Sequence, residues 1–179
     1  MKVYTRRGDD GSTDLLYGGR VSKNDSQPEV YGDVDETQAF IGLARAAAGE
    51  ELSTLLVKIE RELWLLMAEL ACNPEKIDNL DENSRVTKEM VEGLEAIIDE
   101  LSEKFEMPKE FVVPGEDEVS ARLDVARTVC RRAERSAVGL ALENSYVVPY
   151  LNRLSDLLWS AARWQEGESV TTKSVPASE

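Results

Sequence analysis

EELSTLLVKIERELWLLMAELACN, residues 50–73, decides the fold. Leu52, Leu55, Leu56, Ile59, Leu63, Leu66, Met67 and Leu70 recur at three- and four-residue spacing, so on a helix they share one face. Asn73-Pro74 ends the run, because a proline disfavours helical geometry in the residue before it. The same period returns four times. Val34, Ile41, Ala44 and Ala48 predict a helix over 30–49, and Met90, Leu94, Ile97, Ile98, Leu101 and Phe105 predict one over 83–105. Val119, Leu123, Ala126, Cys130, Ala133, Ala137 and Leu140 predict a fourth over 117–143. Leu151, Leu154, Leu157, Leu158, Ala161 and Ala162 predict the last, over 148–165. Five amphipathic helices joined by short links are expected to form an all-α, antiparallel five-helix bundle over 30–166, within a single domain covering 1–179. Residues 1–29 hold four of the eleven glycines and read as a long irregular loop with an extended start at Val3–Thr5. Residues 167–179 read as a polar, fraying tail.

Composition narrows the function. There are 35 acidic against 21 basic residues, a formal net charge of −14, which disfavours nucleic acid and anionic membrane surfaces as partners. No apolar stretch is long enough to span a bilayer and the N-terminus lacks the apolar core of a signal peptide, so a cytoplasmic protein is expected. There is no histidine, which removes Ser-His-Asp and Cys-His catalysis, His-ligated zinc and Glu-x-x-His di-iron sites. Cys72 and Cys130 form no CxxC and read as small core residues, and Trp64, Trp159 and Trp164 read as packing residues.

Positive charge survives in two islands. Residues 1–23 carry Lys2, Arg6, Arg7, Arg20 and Lys23 against three aspartates, and residues 122–135 carry Arg122, Arg127, Arg131, Arg132 and Arg135 against Asp124 and Glu134. Such islands in an acidic chain suit a small polyanion held locally. At 100° per residue, Arg127, Arg131 and Glu134 fall on one edge beside the apolar stripe of their helix. Guanidinium forks match phosphate oxygens, and Glu134 can orient a guanidinium or a hydrated cation; a solvated face of i,i+4 ion pairs is the alternative. The glycines of TRRGDDGSTDLLYGGR, residues 5–20, let backbone N–H groups approach phosphates, with Ser12 or Thr13 adding hydroxyls, although no GK[ST] follows as in a Walker A loop. Asn152 reads equally as a cap or a ligand contact, and Phe111, in the Pro-flanked link, as core or as a protrusion into a pocket.

Four blocks carry a resemblance: YTRRGDDGSTDLLYGGRVSKND, VYGDVDETQAFIGLARA, FVVPGEDEVSARLDVARTVCRRAERSAV and YLNRLSDLLWSAARW. In this order they resemble the PduO-type ATP:cob(I)alamin adenosyltransferases, from Tyr4 to Trp164. The resemblance implies a homotrimer with active sites between subunits, which transfers the 5′-deoxyadenosyl group of ATP to cob(I)alamin with Mg²⁺. It implies an ATP site of Thr5, Arg6, Arg7, Gly8, Thr13, Asp14 and Lys23 with Arg131, Arg132, Glu134, Arg135 and Asn152, Glu134 also serving as a direct or water-mediated Mg²⁺ contact. Arg127 and Arg131 are the implied catalytic arginines. Asp35 is implied to pair with Arg127 across the subunit interface, and Phe111 to help displace the lower ligand of the corrinoid. A flavoprotein reductase and a B12-dependent enzyme are the implied partners. The chain departs from the family pattern at Arg7, at Asp124 where a histidine is common, and in the acidic turn Glu116–Glu118, which places carboxylates near the expected corrinoid side.

Overall fold

A computed structural model describes residues 2–174. Five α-helices form the bundle: α1 Ser26–Arg45, α2 Glu50–Leu70, α3 Lys88–Ser102, α4 Glu118–Val138 and α5 Val147–Glu166. Helix α4 is the central member, packed on α1 on one side and α5 on the other, while α2 packs on α1 and α3 on α5. The predicted stripes meet in one core, with Leu56, Ile59, Leu63 and Leu66 of α2 fully buried against Ala126, Cys130 and Ala133 of α4 and Leu151, Leu154 and Leu158 of α5. Cys72 and Cys130 are buried thiols, and the Cys130 thiol donates to the Leu151 carbonyl at 3.3 Å. Burial raises its pKa and keeps it inert.

The differences from the expected elements have local causes. The N-terminal stretch is not wholly irregular: β1 Ser12–Asp14 and β2 Arg20–Ser22 pair antiparallel, with Thr13 opposite Val21, and no strand forms at Val3–Thr5. Tyr17, Gly18 and Gly19 all take positive φ in the connection, which is where glycine is needed. Helix α1 starts before Val30 because Pro28 sits in its first turn, where its missing N–H costs nothing. Helix α3 starts late because the buried Glu69 carboxylate accepts from the Val86 N–H at 2.8 Å and the Ser145 hydroxyl at 2.7 Å, holding that link against α5. Thr87 then caps α3 at the Met90 N–H. Helix α4 ends at Val138, since Ala141 and Asn144 turn the chain through left-handed conformations.

Two expectations on packing are corrected. Trp64 stands 62% exposed on the outer face of α2, one position off the buried stripe, whereas Trp159 meets Phe105 edge-on at 6.0 Å and Trp164 packs against the core. Beyond Gly167 the chain does not fray at once. The Val113 N–H donates to the Val170 carbonyl at 2.8 Å and the Thr172 N–H to the Phe111 carbonyl at 2.9 Å, so residues 170–172 are tied to the link before α4. Residues 175–179 of the predicted tail lie outside the described residues.

The acidic turn before α4 is largely structural. Asp117 is its N-cap and accepts from the Val119 and Ser120 N–H groups at 2.8 and 3.0 Å, while Glu118 pairs with Arg122 one turn on. Asp117→Ala is expected to cost about 1 kcal/mol of stability, read from the urea unfolding midpoint, because two N–H groups lose their acceptor.

Candidate active site

The hairpin gathers most of the loop residues singled out in the sequence. Thr5, Arg7, Gly8, Ser12, Thr13, Asp14, Arg20 and Lys23 line one open cavity of about 310 Å³. Arg7 reaches Asp14 at 3.0 Å, and Arg20 donates to the Arg7 carbonyl at 2.7 Å and to Asp10 at 3.1 Å. Asp10 also accepts from the Ser12 hydroxyl and N–H, bonds that hold its carboxyl below the usual carboxylate range. These contacts stiffen a loop that glycine alone would leave slack. A Cβ on Gly8 would stand 3.0 Å from the Lys23 ammonium and 3.2 Å from the Ser12 carbonyl, so glycine keeps this wall of the cavity open. Lys23 has no ion pair among the described residues, leaving its charge available. Arg6 is the member the structure leaves out: it takes φ 63° and lies over the Tyr4 ring at 5.4 Å, outside the cavity lining. Arg20, one member of a charge island in the sequence, stands opposite Asp14 in the hairpin register, a pairing that residue types alone do not signal.

The second set lies along α4. Arg131 is exposed and carries no ion pair among the described residues. Asn152 lies inside α5 rather than at its cap, and it donates to Glu134 of α4 at 3.0 Å. Arg135 folds back to donate to the Arg131 carbonyl at 2.9 Å. Arg132 is otherwise engaged: it pairs with Asp33 at 3.0 Å and with Glu36, the Asp33 bond raising its pKa, and Ser136 adds a hydrogen bond to the same aspartate at 2.8 Å. Arg132 therefore latches α4 to α1 through Asp33 and Glu36. The Nε of Arg127 donates to Asp124 at 3.0 Å, and Asp124 is itself buried against Arg163 at 2.6 Å. Asp124 is thus an internal partner of two arginines rather than a carboxylate exposed towards a corrinoid.

Asp35 is exposed on α1 and makes no ion pair within the chain among the described residues. Phe111 is 86% exposed and lines a groove of about 400 Å³ with Pro108, Lys109, Glu110, Val112 and Trp159. No cluster of three or more Cys, Asp or Glu side chains able to hold a metal occurs among the described residues. The hairpin and the α4 edge also occupy different parts of the chain. The hairpin is tied to the C-terminal end of α2, where Asn73 donates to the Gly18 carbonyl at 2.9 Å and the Leu16 N–H to the Ala71 carbonyl at 2.9 Å. Among the described residues no hydrogen bond or ion pair joins it to Arg127, Arg131 or Glu134.

The structure is thus a helical bundle carrying two cationic sets, one at the N-terminal hairpin and one along α4. Its sequence matches the cobalamin adenosyltransferase family over residues 3–165, and the chain belongs to that family. It is 40% identical over 173 residues to the corrinoid adenosyltransferase PduO of Salmonella typhimurium, covering 94% of this chain and 51% of that one. The corrinoid adenosyltransferase of Citrobacter freundii is 40% identical over 169 residues, covering 92% of this chain and 95% of that protein. The chain therefore spans about half the length of the Salmonella relative and nearly all of the Citrobacter one. Among solved structures, a phenylalanine-to-histidine variant of a PduO-type ATP:corrinoid adenosyltransferase from Lactobacillus reuteri, complexed with cobalamin and ATP, superposes with a TM-score of 0.85 at 31% identity, covering 92% of this chain and 91% of that one. An arginine-to-lysine variant of the same enzyme, complexed with ATP, gives 0.82 at 30% identity and covers 92% and 94%.

Gly8→Ala is expected to weaken tripolyphosphate binding about tenfold, measured by titration calorimetry, because the added methyl displaces Lys23 and crowds the Ser12 carbonyl. The unfolding midpoint should barely move, since Gly8 touches no core residue.

Proposed function

We propose that this chain transfers the 5′-deoxyadenosyl group of ATP to the cobalt of cob(I)alamin, releasing triphosphate and adenosylcobalamin. The observation that carries this reading is the uncommitted pair of cations, Arg131 on α4 and Lys23 at the glycine cavity, in a family whose relatives are named for this substrate class. In the transfer, Co(I) attacks C5′ with its own electron pair. A Co–C bond forms, the C5′–O bond breaks, and the triphosphate leaves with that bond's electrons. The nucleophile needs no deprotonation, so a chain without histidine lacks nothing for this step. The protein's work is to align C5′ with cobalt and to stabilise charge on the departing triphosphate, the latter through Arg127, Arg131 and Lys23.

We assign the nucleotide to an interface between subunits. The hairpin cavity and the α4 edge share no hydrogen bond or ion pair among the described residues, and a neighbour's loop laid over this chain's arginines would bring both to one triphosphate. The same packing gives exposed Asp35 a counter-ion in a neighbour's Arg127, whose terminal nitrogens make no hydrogen bond among the described residues. A closed homotrimer meets these requirements, each subunit giving its loop to one neighbour and its α4 edge to the other. The donors present suit Mg²⁺ held mainly by phosphate oxygens, since Glu134 is a lone carboxylate oriented by Asn152 and not part of a cage. When bound, the ion would offset triphosphate charge. Phe111 offers an apolar wall without a ligating atom, which suits a corrinoid kept free of a lower axial ligand and so easier to reduce. Reduction of cobalt implies a flavoprotein reductase partner in the cytoplasm, and delivery of the product implies a B12-dependent enzyme.

The test is an anaerobic assay with ATP, Mg²⁺ and chemically reduced cob(I)alamin. Formation of a light-sensitive alkylcobalamin is the expected result; ATP binding without product would overturn the reading in favour of a corrinoid or nucleotide carrier. Arg131→Ala is expected to lower kcat about a hundredfold through lost stabilisation of the leaving triphosphate, and near-normal turnover would remove that role. Asp35→Asn is expected to lower activity well beyond Asp99→Asn on α3, since only Asp35 has the interface role; equal losses in the two variants would contradict the assignment.

A further inference from the structure

Among the described residues, one of the largest fully buried side chains is charged. Arg163 of α5 is 1% exposed, enclosed by Asp124 of α4 and Glu166 of its own helix. Its Nη2 donates to Asp124 Oδ2 at 2.6 Å and to Glu166 at 3.1 Å, while its Nε, 2.9 Å from Glu166, makes a charge contact without hydrogen-bond alignment. The other oxygen of Asp124 takes the Arg127 Nε–H at 3.0 Å. Asp124, 4% exposed, is thus clamped between an arginine that cannot move and one that reaches the surface.

A buried ion set is seldom an efficient way to stabilise a core, because desolvation offsets most of the attraction and an apolar replacement of similar volume often does as well. Its use lies in direction. Binding Arg127 through Nε alone fixes the plane of the guanidinium while leaving both terminal nitrogens without a hydrogen bond among the described residues, the fork that matches two oxygens of a phosphate or carboxylate. Without Asp124 the same side chain could fold along α4, as Arg135 does onto the Arg131 carbonyl.

We propose that Asp124 is a positioning residue for Arg127, itself anchored by the buried Arg163, and that this chain aims its leaving-group arginine through the Arg163–Asp124–Arg127 relay. The inference rests on the reading that Arg127 turns one terminal nitrogen to the triphosphate while the other meets the neighbour's Asp35. Arg163 also ties the relay to the corrinoid side of the molecule. Its guanidinium lies 5.6 Å from the centre of the Trp159 ring, which lines the Phe111 groove, and its partner Glu166 accepts from Ser169 in the turn leading to the segment paired with Phe111.

The experiment is a double-mutant cycle on the full chain, measuring kcat and the ATP dissociation constant for the parent, Asp124→Asn, Arg127→Ala and the double variant. Asp124→Asn should lower kcat about tenfold or more in the parent, and change kcat and ATP affinity less than about twofold once Arg127 is gone, because the carboxylate then has nothing to aim. Equal losses in the two backgrounds would overturn the proposal and make Asp124 an ordinary packing partner. If Arg127→Ala turns over too slowly to measure, the ATP dissociation constants close the cycle alone. Should Asp124→Asn fail to fold, Asp124→Ala combined with Arg163→Met removes both buried charges together, and the same dependence on Arg127 is expected. A parent chain that makes no alkylcobalamin refutes the proposed function instead, and the ATP cycle still tests the relay.

Discussion

The outward edge of Arg127, Arg131 and Glu134 depends on the rotation of α4 about its own axis. Its buried stripe, Leu123, Ala126, Cys130, Ala133 and Ala137, is built mainly of small side chains, so α1 and α5 can approach closely on both sides. Two polar latches complement that stripe. Arg132 and Ser136 meet Asp33 on the α1 side, and Asp124 meets Arg163 on the α5 side. With both flanks fixed, the edge carrying Arg127, Arg131 and Glu134 faces outward in one orientation. A slip of one residue in the helix would turn it by about 100° and bury or scatter those groups.

The charge pattern follows from this arrangement. An acidic chain surrounds each arginine with potential partners, and the fold sorts its arginines by how they are engaged. Arg163 is wholly internal, Arg132 latches two helices, Arg122 braces the first turn of α4, and Arg127 is held by one nitrogen only. Arg131 has no carboxylate within reach among the described residues, so its charge is not neutralised in advance. The hairpin shows the same division, with Arg7 and Arg20 engaged with Asp10 and Asp14 to set the loop's shape while Lys23 stays uncommitted. Arg131 and Lys23 are thus the members of the two sets without an ion pair among the described residues, and Arg127 keeps only its Nε engaged.

The link before α4 connects the remaining parts. Phe111 is exposed because its backbone is held from the far side by residues 170–172, an antiparallel contact that leaves the ring outside the core. Burial would be the ordinary fate of a phenylalanine in a bundle, and its exposure here comes from tertiary pairing between segments about sixty residues apart.

The five helices, their buried faces and the shared edge of Arg127, Arg131 and Glu134 were all legible in the sequence, because a helix imposes its 3.6-residue period on whatever it buries and whatever it exposes. The glycine-rich loop and the exclusion of histidine chemistry were equally plain from residue types. Periodicity says nothing about partners, however. That Arg132 is spent on Asp33, that Asp124 is enclosed by Arg163, that Trp64 faces outward and that the tail returns to Phe111 are contacts between distant segments with no local signature. The sequence by itself determined which side chains share a helix face; the tertiary structure alone decided which of those charges are paired and which are left unpaired, since pairing depends on the rotation and spacing of neighbouring helices.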